Sequence, residues 1–335
     1  MDLNTLWFIL LGALLAGYAV LDGFDLGVGI LHPFWRAEEE KLSAMAAIAP
    51  FWDGNEVWLI TFGAALFAAF PHAYATAFSA FYLPFILLLF CLMARAMALE
   101  FRAQSESAAW RGFWDRCFFA GSAGASFLFG VAAGNLVMGL AVGADMEFAG
   151  ALWGLLKPYP LLVGCFAVAL FALHGGLYLC VKAGGRLQER ARFCSWRALE
   201  AFCALFVSLG LISIVHVPAA PEGLGRCLWT WSALAGALAA IGGMAMALRA
   251  RAFFRAWLCG AVVVAACVAL LAAMLYPCLV RSSLDPAWSL TIYNAASSRK
   301  TLAIMRNIAL LGMPWVVFYT AFIYRVFRGR LEAAY

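Results

Sequence analysis

Hydrophobic positions in this chain come in long blocks, with neither a sustained period-2 alternation nor a single narrow apolar stripe. Nine blocks stand out, at about 6–31, 51–71, 76–99, 113–141, 160–181, 197–217, 228–248, 253–276 and 306–327. Each reaches the ~20 residues that a helix needs to cross the ~30 Å hydrocarbon core of a bilayer. Backbone polar groups in lipid must be satisfied within their own segment, so the blocks predict helices. The expectation is an all-α polytopic membrane protein of nine transmembrane helices, with residues 1–335 forming a single integral-membrane domain. Composition agrees: 66% of residues are hydrophobic and 12% charged, against roughly 45–50% and about 25% in soluble domains. The mean hydropathy is +0.90.

The polar residues between the blocks set the orientation. Lys157, Arg226, Arg281, Arg299, Lys300 and Arg306 follow the even-numbered spans, and the other seventeen of the 23 basic residues follow the odd-numbered ones. Positive charge is retained in the cytoplasm, which places the N-terminus outside and the C-terminus inside. The net charge of +5 is therefore a topological signal and implies no nucleic-acid partner. The opening "MDLNTLWFILLGALLAGYAV" has acidic Asp2 where a signal peptide is basic, and no small-x-small site follows, so the first span is expected to be retained. The run "EEEK" at 38–41 reads as a solvated face of the first cytoplasmic loop. The stretch 277–305, with its amphipathic "WSLTIY", reads as an outer segment lying at the interface in preference to a ligand-binding loop.

Two carboxylates interrupt the first block, in "AVLDGFDLGVGIL" at 19–31. At ~1.5 Å per residue, Asp22 lies about 24 Å beyond Leu6 and roughly 13 Å before Leu31, inside the hydrocarbon and nearer the cytoplasm. Asp22 and Asp25, three apart, share a helix face. Gly23 and Gly27 form a G-x-x-x-G spacing that lets another helix approach closely. An ionised Asp at mid-span costs about 2.5–3.5 kcal/mol on insertion scales, so both should face the protein interior and suggest an ion or proton path. The second block opens with "IAPFWDGNEVWLI", adding Asp53 and Glu56 at the same cytoplasmic end. Their spacing also suits a capping box, although Pro50, Phe51 and Trp52 argue for an earlier helix start. Arg95 ends the third block at this depth, either pairing with a carboxylate or snorkelling to the surface. Glu100 and Arg102 lie further out and read as solvated. Carboxyls with staggered pKa values form a ladder that can pass protons.

Other chemistry is poorly supported. The four histidines, His32, His72, His174 and His216, are scattered, with no helical pair at i, i+3 or i+4, and His174 reads as a hydrogen-bonded packing residue. Ten cysteines contain no C-x-x-C and fall mostly in apolar blocks, where a thiol behaves as a small hydrophobe. No phosphate-binding loop, dinucleotide turn or nucleophile elbow is present.

The stretches "GYAVLDGFDLGVGIL", "IAPFWDGNEVWLITFGAALFAAFP", "AFSAFYLPFILLL", "GVAAGNLV" and "SLTIYNAASSRKTL" closely resemble subunit II of the cytochrome bd family of quinol oxidases, including its cyanide-insensitive branch. The resemblance is strongest over 17–102 and 276–302; over about 145–260 only hydrophobicity and span count match. It implies two four-helix bundles plus one peripheral helix, in a bacterial cytoplasmic (inner) membrane. It also implies a heterodimer with a subunit I that holds haem b and haem d (or b), sometimes with a small single-helix accessory subunit. Quinol would be the electron donor and O₂ would be reduced to water with cytoplasmic protons, electrogenically but without pumping. Subunit II would carry no haem ligand, and some members hold a structural quinone. Carried over residue by residue, the aspartate of the family's proton pathway falls on Asp53, its acidic glycine motif on Asp22 and Asp25, and its basic residue on Arg95. Glu56 joins them on the charge reading, with Trp52, Asn55 and Trp58 in support. The chain departs from relatives in carrying Phe51 where a histidine is common, and in a short, less polar loop between spans six and seven.

Two other readings compete with an oxidase subunit that scaffolds subunit I and conducts protons. One is a proton-coupled secondary transporter; the other is a purely structural partner whose acids only cap helices and hold interhelical contacts.

Overall fold

Prolines decide where the apolar blocks break. In the computed structural model, which describes residues 2–217 and 228–329, the described residues form eleven α-helices. They are α1 (Leu3–Leu31), α2 (Glu38–Ile48), α3 (Trp52–Ala69), α4 (Pro71–Ala80), α5 (Tyr82–Phe101) and α6 (Ala108–Met138). After these come α7 (Pro158–Lys182), α8 (Gly185–His216), α9 (Leu228–Arg249), α10 (Phe253–Leu275) and α11 (Arg299–Val326). Phe70 precedes a proline, which disfavours helical dihedrals; at φ −136° and ψ 66° it ends α3, and Pro71 opens α4. Pro84 lacks an N–H and crowds the carbonyl of Ala80, so α4 stops at Ala80 and α5 starts at Tyr82. The third predicted span is thus two helices meeting at Phe81.

Among the described residues, eight helices, α1 and α5 to α11, are long and apolar enough to cross a membrane. α3 falls short because Asp53, Asn55 and Glu56 lie within its 18 residues. α8 starts at Gly185 instead of near 197. Its 32 residues reach ~48 Å, so the basic segment read as a loop prolongs a helix beyond the hydrocarbon.

Two further expectations are modified. "EEEK" begins α2, where Glu38 and Glu39 are exposed as expected and Glu40 departs from that reading. Glu40 is buried; its carboxylate accepts the Arg36 and Ala37 backbone N–H groups at 3.0 and 3.2 Å and pairs with Arg190. Glu38 pairs with Arg102 at 2.9 Å and Lys41 with Asp115 at 2.7 Å. A helix N-terminus with unsatisfied amides favours acidic side chains, which here find partners on other helices as well. Segment 277–305, expected as an interfacial strip, carries local structure of its own. It folds into an antiparallel pair, β1 (Cys278–Val280) and β2 (Leu290–Thr291). Val280, Leu290, Ile292 and Ala295 are buried in one apolar core with Trp7 and Phe8 of α1 and Ala73 and Ala77 of α4. The loop between the sixth and seventh spans, 218–227, lies outside the described residues.

α1 runs through the middle, against α3, α6, α7 and α10. Its crossing with α7 is backbone on backbone. A Cβ on Gly27 would strike the Phe171 carbonyl oxygen and lie 2.7 Å from the Gly175 nitrogen, which is the close approach the Gly23–Gly27 spacing predicts. By contrast, Leu302 is the buried residue of α11.

Candidate functional site

Three helices deliver charge to one buried point. Asp22 and Asp25 come from α1, Asn55 and Glu56 from the first turns of α3, and Arg95 from the C-terminal half of α5. Gly121 of α6 helps seat Arg95, since a Cβ there would lie 2.9 Å from the Arg95 backbone nitrogen. Arg95 is wholly buried. Its Nη1 donates to Asp22 Oδ1 at 2.8 Å and its Nη2 to Glu56 Oε1 at 2.6 Å. Arg95 therefore pairs; it does not snorkel.

Asp25, also wholly buried, sits to one side of that ion triad. Its Oδ2 accepts from Asn55 Nδ2 at 2.7 Å, and the same amide donates to the Leu21 carbonyl at 3.1 Å. The Asn55 carbonyl oxygen in turn accepts from the Tyr324 hydroxyl of α11 at 3.2 Å. Asp22 Oδ2, Asp25 Oδ1, Arg95 Nε and the Tyr18 hydroxyl are buried without a hydrogen-bond partner among the protein groups. Buried polar atoms in that condition are where ordered water binds.

The remaining expected residues separate by role. Asp53 lies in the first turn of α3, three residues before Glu56, and is exposed. No capping box forms: the N-cap is Phe51, without a side-chain hydrogen bond, because Glu56 is turned inward to Arg95. Trp52 is half-buried beside it. Trp58 packs its ring on Gly17 of α1, where a Cβ would collide with it, so it seats α3 against α1. From solvent inward the carboxyls run exposed Asp53, Glu56 with 25% of its side chain accessible, then buried Asp22 and Asp25.

A second network, which the sequence reading left out, ties the segments that follow α1 and α5 to α2 and α6. Asp115 of α6 accepts from His32 Nε2 at 2.7 Å, Lys41 at 2.7 Å and Arg102 Nε at 2.6 Å. Arg102, read as solvated, is buried, whereas Glu100 is exposed as expected. An aspartate on a mainly apolar helix gives no sequence clue to three donors arriving from other elements.

Beside Tyr18 lies an apolar cavity of about 370 Å³ between α1, α6, α7, α8, α9 and α10, lined by Phe129, Phe171, Phe206, Leu209 and Val264 among others. Its polar elements include Thr230 and the Tyr159 hydroxyl, which is 2.8 Å from Ser213 Oγ. Two of the histidines have protein partners. His32 is committed to Asp115, and His174, stacked on Trp257, contacts the Val20 carbonyl at 3.0 Å. Neither lines the cavity. Among the described residues, no three His, Cys, Asp or Glu side chains are grouped to hold a metal ion.

The profile of the family described as cytochrome bd terminal oxidase subunit II matches residues 3–327. Cytochrome bd-I ubiquinol oxidase subunit 2 of Escherichia coli (strain K12) is 34% identical over 364 residues, covering 98% of this chain and 95% of that protein. Cytochrome bd ubiquinol oxidase subunit 2 of Bacillus subtilis (strain 168) is 33% identical over 334 residues, covering 99% and 97%. The solved bd oxidase from Geobacillus thermodenitrificans contains a chain of the same fold, with a TM-score of 0.79 at 18% identity, covering 98% of this chain and 99% of that one.

Proposed function

The chain belongs to the cytochrome bd terminal oxidase subunit II family, and on that premise we propose that it is the haem-free second subunit of a bd-type quinol oxidase. In this reading it braces a haem-bearing subunit I and leads cytoplasmic protons toward the partner's oxygen-reducing haem. The chain's own chemistry is proton handling. Asp53 collects protons at the cytoplasmic end, Glu56 relays them at the boundary, and Arg95 holds Asp22 and Glu56 in line. Asp25 lies beside them on an amide hydrogen bond. The observation that carries the proposal is the graded exposure of these carboxyls around one buried arginine.

The same geometry supports a partner. Asp53, Val57, Ile60 and Phe67 are exposed along one stripe of α3, and lipid penalises a carboxylate on such a face. The exposed apolar surface of α11, including Ile308, Leu311, Trp315 and Phe318, extends the area that a second subunit would cover. We place α3 as the ninth span: its polar turns are tolerated because Arg95 and the partner shield them. One integral-membrane domain then comprises a bundle of α1, α3, α4–α5 and α6, a bundle of α7 to α10, and the peripheral α11. The N-terminus lies outside and the C-terminus in the cytoplasm of a bacterial cell. The apolar cavity gives room for the tail of a structural quinone.

Asp53→Asn keeps size and hydrogen bonding but removes the titrating site. In the purified complex, haem content should be unchanged and quinol-dependent O₂ consumption should fall by tenfold or more. Full turnover would leave only the scaffold role, for which the Arg95 ion triad is the supporting observation. A chain that purifies alone, colourless and active in proton-driven uptake, would favour a transporter.

A further inference from the structure

The last helix reaches back into the carboxyl cluster at its cytoplasmic end. Within α11 one residue near the outer end, Leu302, is buried, yet Tyr324 is held on several sides. Its hydroxyl donates to Asn55 Oδ1 at 3.2 Å, and its ring packs 4.5 Å from Phe51 and 6.3 Å from Phe24. Lys182, at the end of α7, donates to the carbonyls of Phe327 and Gly329. A cation there satisfies the free carbonyls that close a helix. The ammonium also lies 5.3 Å over the Phe51 ring, and Phe327 packs edge-on to Phe51 at 6.0 Å. Phe51, Lys182 and Phe327 thus clamp the end of α11 in the place that brings Tyr324 to Asn55.

Asn55 has one side-chain carbonyl and one NH₂, and every contact it makes bears on Asp25. The NH₂ serves Asp25 and the Leu21 carbonyl, one turn before Asp25 on α1. The carbonyl is held by Tyr324. Without that third bond the amide is held by its two donor bonds alone, and tilting about its terminal torsion changes the bond it offers Asp25. We propose that Tyr324, 269 residues distant in sequence from Asn55, is a positioning residue for Asp25. It acts through Asn55, and α11 is the latch that sets the geometry of this carboxyl. The role in turnover rests on the proton-conducting reading above; the role in orienting Asp25 does not.

The test uses the purified two-subunit complex. Tyr324→Phe keeps the ring against Phe51 and removes only the hydroxyl, and Tyr319→Phe removes an exposed hydroxyl from the same helix as a control. Infrared difference spectra in H₂O and D₂O, with Asp25→Asn to assign the band, should show the Asp25 carboxyl signal displaced in Tyr324→Phe and unmoved in Tyr319→Phe. Turnover of Tyr324→Phe should fall about fivefold, the equivalent of one lost hydrogen bond. The loss should be greatest on the alkaline limb, where proton supply limits the rate. If Tyr324→Phe fails to assemble, Lys182→Met, which loosens the clamp from the other side, is expected to displace the band in its place. An Asp25 band identical to the parent's in the assembled variant overturns the proposal. A displaced band with unchanged turnover keeps the positioning and defeats the proton-conducting reading.

Discussion

Replacing Arg95 by methionine removes the cation of the ion triad while keeping much of its volume. Asp22, wholly buried, would be left with no cation at hydrogen-bonding distance, since its present partner is Arg95 Nη1 at 2.8 Å. Glu56 loses a 2.6 Å bond but has 25% of its side chain accessible, so water compensates most of that arm, leaving a cost of about 0–1 kcal/mol. Breaking a buried pair by removing one partner costs about 3–5 kcal/mol, and Asp22 should carry nearly all of it. A double-mutant cycle isolates the cause. Arg95→Met should lower the stability of the purified complex by about 3 kcal/mol or more, and Asp22→Asn in the same background should recover roughly 2 kcal/mol by removing the stranded charge. Glu56→Gln alone should cost under about 1 kcal/mol. Equilibrium unfolding in mixed micelles, followed by tryptophan fluorescence, supplies the numbers. A single variant losing less than about 1 kcal/mol, or an Asp22→Asn partner that restores nothing, would refute the view that a buried ion triad organises this site.

Three further outcomes follow from packing, the Asp115 network and topology. Gly27→Ala should loosen the α1–α7 crossing by about 1–3 kcal/mol, since backbone atoms of Phe171 and Gly175 block the methyl group. Gly12→Ala on the same helix meets nothing within 4 Å and should be neutral or stabilising by up to ~1 kcal/mol; equal thermal midpoints for the two would contradict the packing argument. Asp115→Asn weakens three charge-assisted bonds and should cost about 2–4 kcal/mol, with protease cleavage near α2 as the readout and no loss of per-haem turnover. A reporter fused after residue 335 should be active only in the cytoplasm, and activity on the outer face would reverse the proposed orientation.

Much of this was legible in the linear pattern because lipid is a demanding solvent. Long apolar blocks have to be helices, and a carboxylate within one has to turn inward, which located Asp22, Asp25, Glu56 and Arg95 before any coordinates. The glycine spacing at 23 and 27 announced a close crossing for the same reason, although not that Gly175 would meet it. Contributions from distant chain stayed hidden. Tyr324 and Asp115 look like ordinary residues of apolar helices, and only the fold brings them to Asn55 and to His32, Lys41 and Arg102. Within "EEEK", Glu40 was misread because charge was taken as a mark of solvent, whereas the start of α2 and Arg190 supply its partners. The strand pair within 277–305 was not foreseen because the alternation of buried Leu290 and Ile292 with less buried neighbours suits a strand and an interfacial strip equally.

The central claim is that protons enter along the carboxyls of α3 and α1. It is tested most directly by time-resolved proton uptake and charge movement when the reduced complex, reconstituted in liposomes, meets O₂. The account predicts that Asp53→Asn and Glu56→Gln slow the proton-uptake phase by tenfold or more while haem content and O₂ binding stay as in the parent. Parental uptake kinetics in both variants would contradict it.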